Sequence, residues 1–425
     1  MREMINSGQE WLGNIPANWD IAKIDSLYKL RNTKVSDYEY EPLSVTMSGV
    51  VPQLENAAKT NAHDDRKLVL RGDFAINSRS DRRGSCGISE YDGSVSLINT
   101  VLKPKGDMVP RYFNWLFHTK SFADEFYRWG HGIVDDLWTT NWQDMRKIVV
   151  SVPSMPEQKR IASFLDSKCS EIDYITADIQ KEIETLQEYR KSVITEAVTK
   201  GLDPNVEMKD SGIVWIGMIP KHWDIYRAKH VSSCIAKGNG ITKEQVLLEG
   251  DIQCVRYGEI YSKYEDSFID TFSKTNLKLI SSPKYIKYGD ILFAGTGELV
   301  EEIGKNIVFL GQETCLAGGD IVVLSTKQDP RYLNYSLGSI PSQAQKSKDK
   351  AKLKVVHISS TDIGNIKVAI PPYEEQIRIA NYLDIMCSEI DSIIEDKQKQ
   401  LGILAEYRKS LIYEYVTGKK EVPAV

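Results

Sequence analysis

The feature that most constrains this 425-residue chain is that it spells out two of its segments twice. The run SGQEWLGNIPANWD, Ser7 to Asp20, returns as SGIVWIGMIPKHWD, Ser211 to Asp224, an offset of 211 − 7 = 204. PEQKRIASFLDSKCSEIDYI, from Pro156, returns from Glu374 as EEQIRIANYLDIMCSEIDSI, and EYRKSVITEAVT, from Glu188, returns from Glu406 as EYRKSLIYEYVT. That second offset is 374 − 156 = 218, so the second half carries 218 − 204 = 14 additional residues between its two motifs. Fainter echoes lie between, PRYFNWL at Pro110 with PRYLNYSL at Pro330, and GDF at Gly72 with GDI at Gly289. The chain therefore reads as block, helix, block, helix, with alike ends and unlike middles. A repeat of this kind suggests one scaffold used twice to present two different surfaces, the alternative being an old duplication with no functional asymmetry.

The segment from about Pro156 to Thr199 carries the marks of a single long helix. Ser154 followed by Glu157 is a capping-box pattern, Pro156 suits the first turn, and Gly201 stands where a stop belongs. Leu165, Ile172, Ile179, Leu186 and Val193 recur every seven residues, with Ile161, Cys169, Ile175 and Ile183 as most of a second stripe. The second copy repeats this with Leu383, Ile390, Leu404 and Leu411, interrupted by Lys397. A sustained heptad asks for a partner helix, and the economical partner for each copy is the other. Folding each helix back onto its own block is the alternative. Cys169 and Cys387 hold equivalent heptad positions and read as small core residues.

The blocks at 20–150 and 224–370 are rich in short strand patterns bounded by Gly, Pro, Asp and Asn, such as KLVLRGDFAINS and KYIKYGDILFAGTG. With the helices this makes the fold class α+β. Four polar clusters could meet nucleic acid. Asn77 to Gly84 supplies Arg79, Arg82 and Arg83 among small polar residues, a composition suited to phosphate positioning and guanine readout. His131 follows Trp129-Gly130, and Lys237-Gly238-Asn239-Gly240 forms a compact basic turn. Lys346, Lys348, Lys350, Lys352 and Lys354 alternate, so on a strand they would share one face. Each cluster is equally readable as solvated surface.

Several function classes are disfavoured. The net charge of −5 sits mostly in the two helical segments and leaves the blocks close to neutral, so DNA binding by this chain would need a partner that adds positive surface. No stretch approaches the roughly 18 apolar residues of a membrane span, and the N-terminus lacks a signal-peptide core, which places the chain in the cytoplasm. The six cysteines are scattered and the six histidines form no pair with metal-ligand spacing, so no metal site is expected. The nearest approach to a phosphate-binding loop, Gly297 to Gly304-Lys305-Asn306, has the wrong glycine spacing and no hydroxyl after the lysine. NPPY, GxGxxG and GxSxG are absent as well. The reading is a chain without a catalytic site.

These repeated motifs resemble the specificity subunits of type I restriction–modification systems. The entry motif stands here as Glu10-Trp11, Gly13, Ile15-Pro16 and Trp19, then as Trp215, Gly217, Ile219-Pro220 and Trp223, with Val214 in place of the leading acid. The helix motif stands as Pro153, Glu157-Gln158, Ile161-Ala162, Leu165-Asp166 and Glu171-Ile172-Asp173. Its second copy is Pro371-Pro372, Glu375-Gln376, Ile379-Ala380, Leu383-Asp384 and Glu389-Ile390-Asp391. The resemblance implies two target-recognition domains, 1–152 and 203–370, with long helices at 153–202 and 371–425 that form an antiparallel coiled coil about a pseudo-twofold axis. It implies that each domain reads one half of a split, asymmetric site in double-stranded DNA. It also implies two methyltransferase subunits using S-adenosylmethionine, and restriction subunits using ATP and Mg²⁺, as partners, with no cofactor on this chain. A protein-binding coiled-coil scaffold without DNA reading is the rival.

Overall fold

The computed structural model describes residues 2–53, 63–79, 82–132, 138–247, 249–297, 300–348 and 356–423. The chain divides into two compact units, residues 1–180 with 398–425, and residues 181–397. Both divisions fall inside long helices, Met155–Lys200 and Tyr373–Val416, so each unit contains a strand-rich block and one stretch of each helix.

In the first unit the block holds a four-stranded antiparallel sheet in the order Cys86–Ile88, Phe74–Asn77, Asn99–Pro104, Tyr28–Leu30. A three-stranded sheet (Gly93–Ser96, Arg66–Val69, Lys34–Val35) accompanies it, and helices Pro110–Phe117 and Lys120–Arg128 follow. Phe74, Phe113, Phe117 and Phe122 pack in a chain of ring contacts at the centre. In the second unit a five-stranded sheet (Ser232–Lys237, Ile321–Thr326, Ile291–Ala294, Asn306–Phe309, Ser267–Phe268) lies with a four-stranded one (Ser273–Thr275, Ile252–Val255, Cys315–Ala317, Tyr285–Ile286). The repeated entry motif folds alike in both: Met4–Asn6 pairs with Asn14–Pro16, and Met208–Asp210 with Met218–Pro220. The closing strand also recurs, Val149–Val152 on Asp20–Lys23 and Lys367–Ile370 on Asp224–Arg227.

Within each unit the two helical stretches run antiparallel. In the first, the Phe164 and Tyr415 rings meet tilted, 4.5 Å between centroids, and Asp173 meets Arg408 at 3.3 Å. In the second, Glu182 pairs with Lys397 and Arg190 with Asp391 at 2.9 Å. Leu165, Cys169 and Ile172 join Leu411, Ile412 and Tyr415 in one core, and Ile194, Ala197 and Val198 join Ile379, Leu383 and Cys387 in another. The heptad thus partners its own second copy. Ile179, Leu186, Val193 and Leu404 are half-buried on this seam, and Ile390 is buried. Lys397 breaks the apolar stripe at an ion pair rather than at a defect.

Two local readings change. Ile175 is exposed, and the second stripe passes instead through half-buried Thr176, seven residues from Cys169 and Ile183. Glu157 does not close a capping box: its carboxylate accepts from Trp19 Nε1 at 3.0 Å and pairs with Arg2. Both helices do stop at a glycine of positive φ, Gly201 (75°) and Gly418 (71°). A Cβ there would lie 3.2 Å from Trp223 and 2.4 Å from Pro16 respectively. The repeated tryptophan–proline motif therefore docks against the repeated helix end. Among the described residues no helix is long and apolar enough to cross a membrane.

Candidate nucleic-acid interface

The helices hold each block by the same set of clasps. The arginine of PRY pairs with the aspartate of the LD motif, Arg111 with Asp166 at 2.8 Å and Arg331 with Asp384 at 2.6 Å. The tyrosine of PRY is fully buried in both units: Tyr112 donates to the Val416 carbonyl near the opposite helix's end at 2.8 Å, whereas Tyr332 donates to the Ala369 carbonyl of the closing strand at 2.9 Å and lies 3.4 Å from the Val198 carbonyl. Gln158 and Gln376 each donate to the proline five residues earlier, and each accepts the backbone N–H that precedes PRY. The faint PRY echo is therefore a framework element. Its aromatic tail follows suit, Trp115 Nε1 donating to Asp166 and Tyr335 Oη to Asp384. One clasp breaks the symmetry: Trp223 Nε1 is buried without a partner, while Glu375 accepts from His222 at 2.8 Å.

In the first unit the structure joins two clusters whose members Arg79 and His131 stand 131 − 79 = 52 residues apart in the sequence. Arg79 and His131 both bridge to Thr139, and Tyr127 Oη donates to the Arg79 carbonyl at 2.6 Å. The Arg83 guanidinium lies 4.7 Å above the Tyr127 ring and 3.7 Å from Asp124. His131 Nε2 is 3.4 Å from Asp144, which also holds Lys147, itself over Trp129. Arg79, Arg82, Arg83 and His131 are all exposed. Lys147 belongs to this surface and buried Tyr127 lies beneath it; both were missed, because nothing in their sequence neighbourhood ties them to the two loops. Surface ion pairs of this kind contribute at most about 1 kcal/mol, so the cations are exchangeable for phosphate at little cost. Gly130 fixes the patch, since a Cβ there would fall 2.2 Å from Trp138 Nε1, the group that donates to the Tyr127 carbonyl.

The second unit brings Lys237 and Asn239 together on one turn. Lys237 is exposed, 3.5 Å from Asp320, and the Asn239 amide donates to the Ser282 carbonyl. The lysine cluster is a correction. Residues 340–347 form a helix, Ile340–Ser347, so Lys346 and Lys348 do not share a strand face. Lys346 is buried, its Nζ donating to the Gly304 carbonyl at 2.7 Å and Asn306 Oδ1 at 2.9 Å, so it offers nothing to a ligand. Lys348 is exposed just beyond the helix, while Lys350, Lys352 and Lys354 lie outside the described residues.

Burial brings the Lys346 ammonium down to about 7. An unfolded lysine keeps its proton to 10.5, so between these values the unfolded state holds more protons, and stability rises with pH. The slope from this group is at most about 1.4 kcal/mol per pH unit. Thermal unfolding of the wild-type chain and Lys346→Met should show the wild type gaining on the variant between pH 7 and pH 9. A constant gap between the two would sink this assignment.

Residues 220–402 match the family described as the type I restriction modification DNA specificity domain. The chain is 27% identical over 288 residues to the type I restriction enzyme MjaVIII specificity subunit of Methanocaldococcus jannaschii, a match covering 65% of this chain and 63% of that protein's length. It is 23% identical over 438 residues to the putative type I restriction enzyme MjaX specificity subunit of the same organism, covering 97% of this chain and 96% of that one. A solved chain from a study of complex assembly and conformational transition in the type I R-M system shares the fold, with a TM-score of 0.70 at 13% identity over 96% of this chain and 99% of its own. Among the described residues no group of three His, Cys, Asp or Glu side chains is placed to hold a metal.

Proposed function

Because the chain belongs to the family of type I restriction–modification specificity subunits, we propose that it reads double-stranded DNA for an enzyme whose chemistry resides in other subunits. Each strand-rich block reads one half of a bipartite, asymmetric target, and the paired helices carry the blocks. The observation that carries this reading is the contrast between framework and surface. The arginine–aspartate and glutamine clasps recur in both units, whereas the candidate surfaces, Arg79–Arg83 with His131 in one and Lys237–Asn239 in the other, have nothing in common. One scaffold with two unlike faces is what an asymmetric two-part target requires.

The helices also present repeated side chains outward. Ile175 and Ile393 are exposed at equivalent positions, as are Tyr189 and Tyr407. Two copies of one apolar pattern suit two copies of one partner, here the methyltransferase subunits, with restriction subunits completing the enzyme. S-adenosylmethionine, ATP and Mg²⁺ belong to those partners, and they supply the positive surface that a chain of net charge −5 lacks.

Long-read sequencing of modified bases in the source genome, with the gene intact and deleted, tests the reading. Loss of methyladenine at one split, asymmetric motif on deletion is the expected result. An unchanged map from an expressed system would favour a protein-binding scaffold instead.

A further inference from the structure

The turn Lys237–Gly240 is pressed against a second glycine turn, and an arginine closes the contact. A Cβ on Gly238 would lie 2.0 Å from the Gly318 carbonyl oxygen, and one on Gly319 would lie 3.0 Å from the Gly240 Cα. On its other side Gly318 abuts Arg256, whose Cα and Cγ stand 3.4 and 3.7 Å from where a Cβ would be. Arg256 follows the buried strand Ile252–Val255, and its position is fixed from both ends. Its backbone N–H donates to Glu259 at 2.9 Å, and the Gly318 N–H donates to the neighbouring Val255 carbonyl at 2.8 Å.

The guanidinium itself has no such provision. Arg256 Nε is out of reach of water and has no hydrogen-bond partner. The nearest acid in sequence, Glu259, is committed to the Arg256 backbone and to the Ser273 hydroxyl. Among the described residues no carboxylate stands within ion-pair distance of this guanidinium, whereas Lys237, on the turn that abuts Gly318, has Asp320. Arg256 as a whole is half-buried, so the enclosed Nε lacks an acceptor while the terminal nitrogens stay open to a ligand that would supply acceptors. Because the stem is confined, the fork is pre-positioned rather than swinging. A fixed fork suits two acceptors on one rigid edge, and in the major groove of DNA that edge is guanine O6 and N7. A mobile, exposed cation such as Lys237 suits phosphate instead.

We propose that Arg256 reads a guanine in the half-site of the second block, with Lys237 on the adjoining backbone. The proposal rests on the DNA-reading function above and adds the base and the residue. The test uses Arg256→Ala and Arg256→Lys in the full chain, assembled with its methyltransferase partner. Binding is measured on duplexes carrying every single-base change in the motif mapped for the wild type. Both variants should lose discrimination at one G·C pair of one half-site by about 10- to 100-fold, while the other half-site is read unchanged. The lysine variant keeps the charge and the fold, so its loss isolates the fork. A uniform fall in affinity across all duplexes, with a shallower salt dependence, would assign Arg256 to phosphate and overturn the proposal. Full discrimination in both variants would overturn it too. A wild type without any split motif would overturn the wider reading instead, and would be seen before any variant is made.

Discussion

Cutting Leu383 back to alanine is expected to cost the second unit about 2–5 kcal/mol, the range for a fully buried leucine in a core that collapses only in part. Leu383 has no exposed surface and packs with Ile194, Ala197 and Val198 from the central helix, together with Trp223 and Tyr332. Its repeat counterpart Leu165, equally buried, packs with Leu411, Ile412 and Tyr415 in the first unit. Loss of either side chain removes apolar contact between two helices and between helix and block at once. Hydrogen exchange with segment resolution reads both effects. Leu383→Ala should raise exchange at 181–200 and 373–397 ahead of 155–180 and 398–416, and Leu165→Ala should reverse that order. The same pattern from both variants would mean that the helices, not the units, are the cooperative elements.

Legibility in the sequence followed the range of the interaction. The helix pairing was readable because a heptad states its partner's geometry in its own spacing, and the repeat supplied the partner, Leu411 beside Leu165 and Leu383 beside Ile194. The stop of the first long helix was readable because the positive φ at Gly201 demands glycine, and Gly418 ends the second helix in the same way. The clasps were visible only as motifs. PRY and LD each recur, but only the fold brings Arg111 to Asp166 and Arg331 to Asp384. The surfaces were least legible. Arg79 and His131 meet through Thr139, a residue with no chemical signature of its own. Lys346 misled because alternation implies a shared face only on a strand, and a helix turned that side chain inward onto Gly304 and Asn306. Arg256 carried no signal, since its distinction is a lack of partners.

The repeat also predicts where equal sequences should behave unequally. Arg190 and Arg408 stand in the same EYRKS phrase and each reaches the aspartate of the opposite EID motif, Asp391 and Asp173. Arg190 additionally pairs with Asp266, contributed by the second block, whereas Arg408 lies over the face of Trp115, at 5.8 Å. Burial works against the Arg190 charge, but Asp266 and Asp391 outweigh it and raise its hold on the proton. Burial also raises the Asp266 carboxyl, and Arg190 opposes that rise. Arg190→Ala removes the opposition and strands two carboxylates, so its cost should fall near the lower end of the about 3–5 kcal/mol for breaking a buried pair. Arg408→Ala leaves an exposed aspartate and should cost about 1 kcal/mol. The pH dependence gives an internal check. A carboxyl whose folded pKa is raised favours folding when protonated and opposes it when charged. The Arg190→Ala deficit should therefore be full at pH 7 and shrink as pH falls toward 3.8, the ordinary value for Asp266. Urea unfolding of both variants across that range measures it. Equal deficits for the two arginines would mean that Asp266 adds nothing, and that the second block is held by the shared clasps alone.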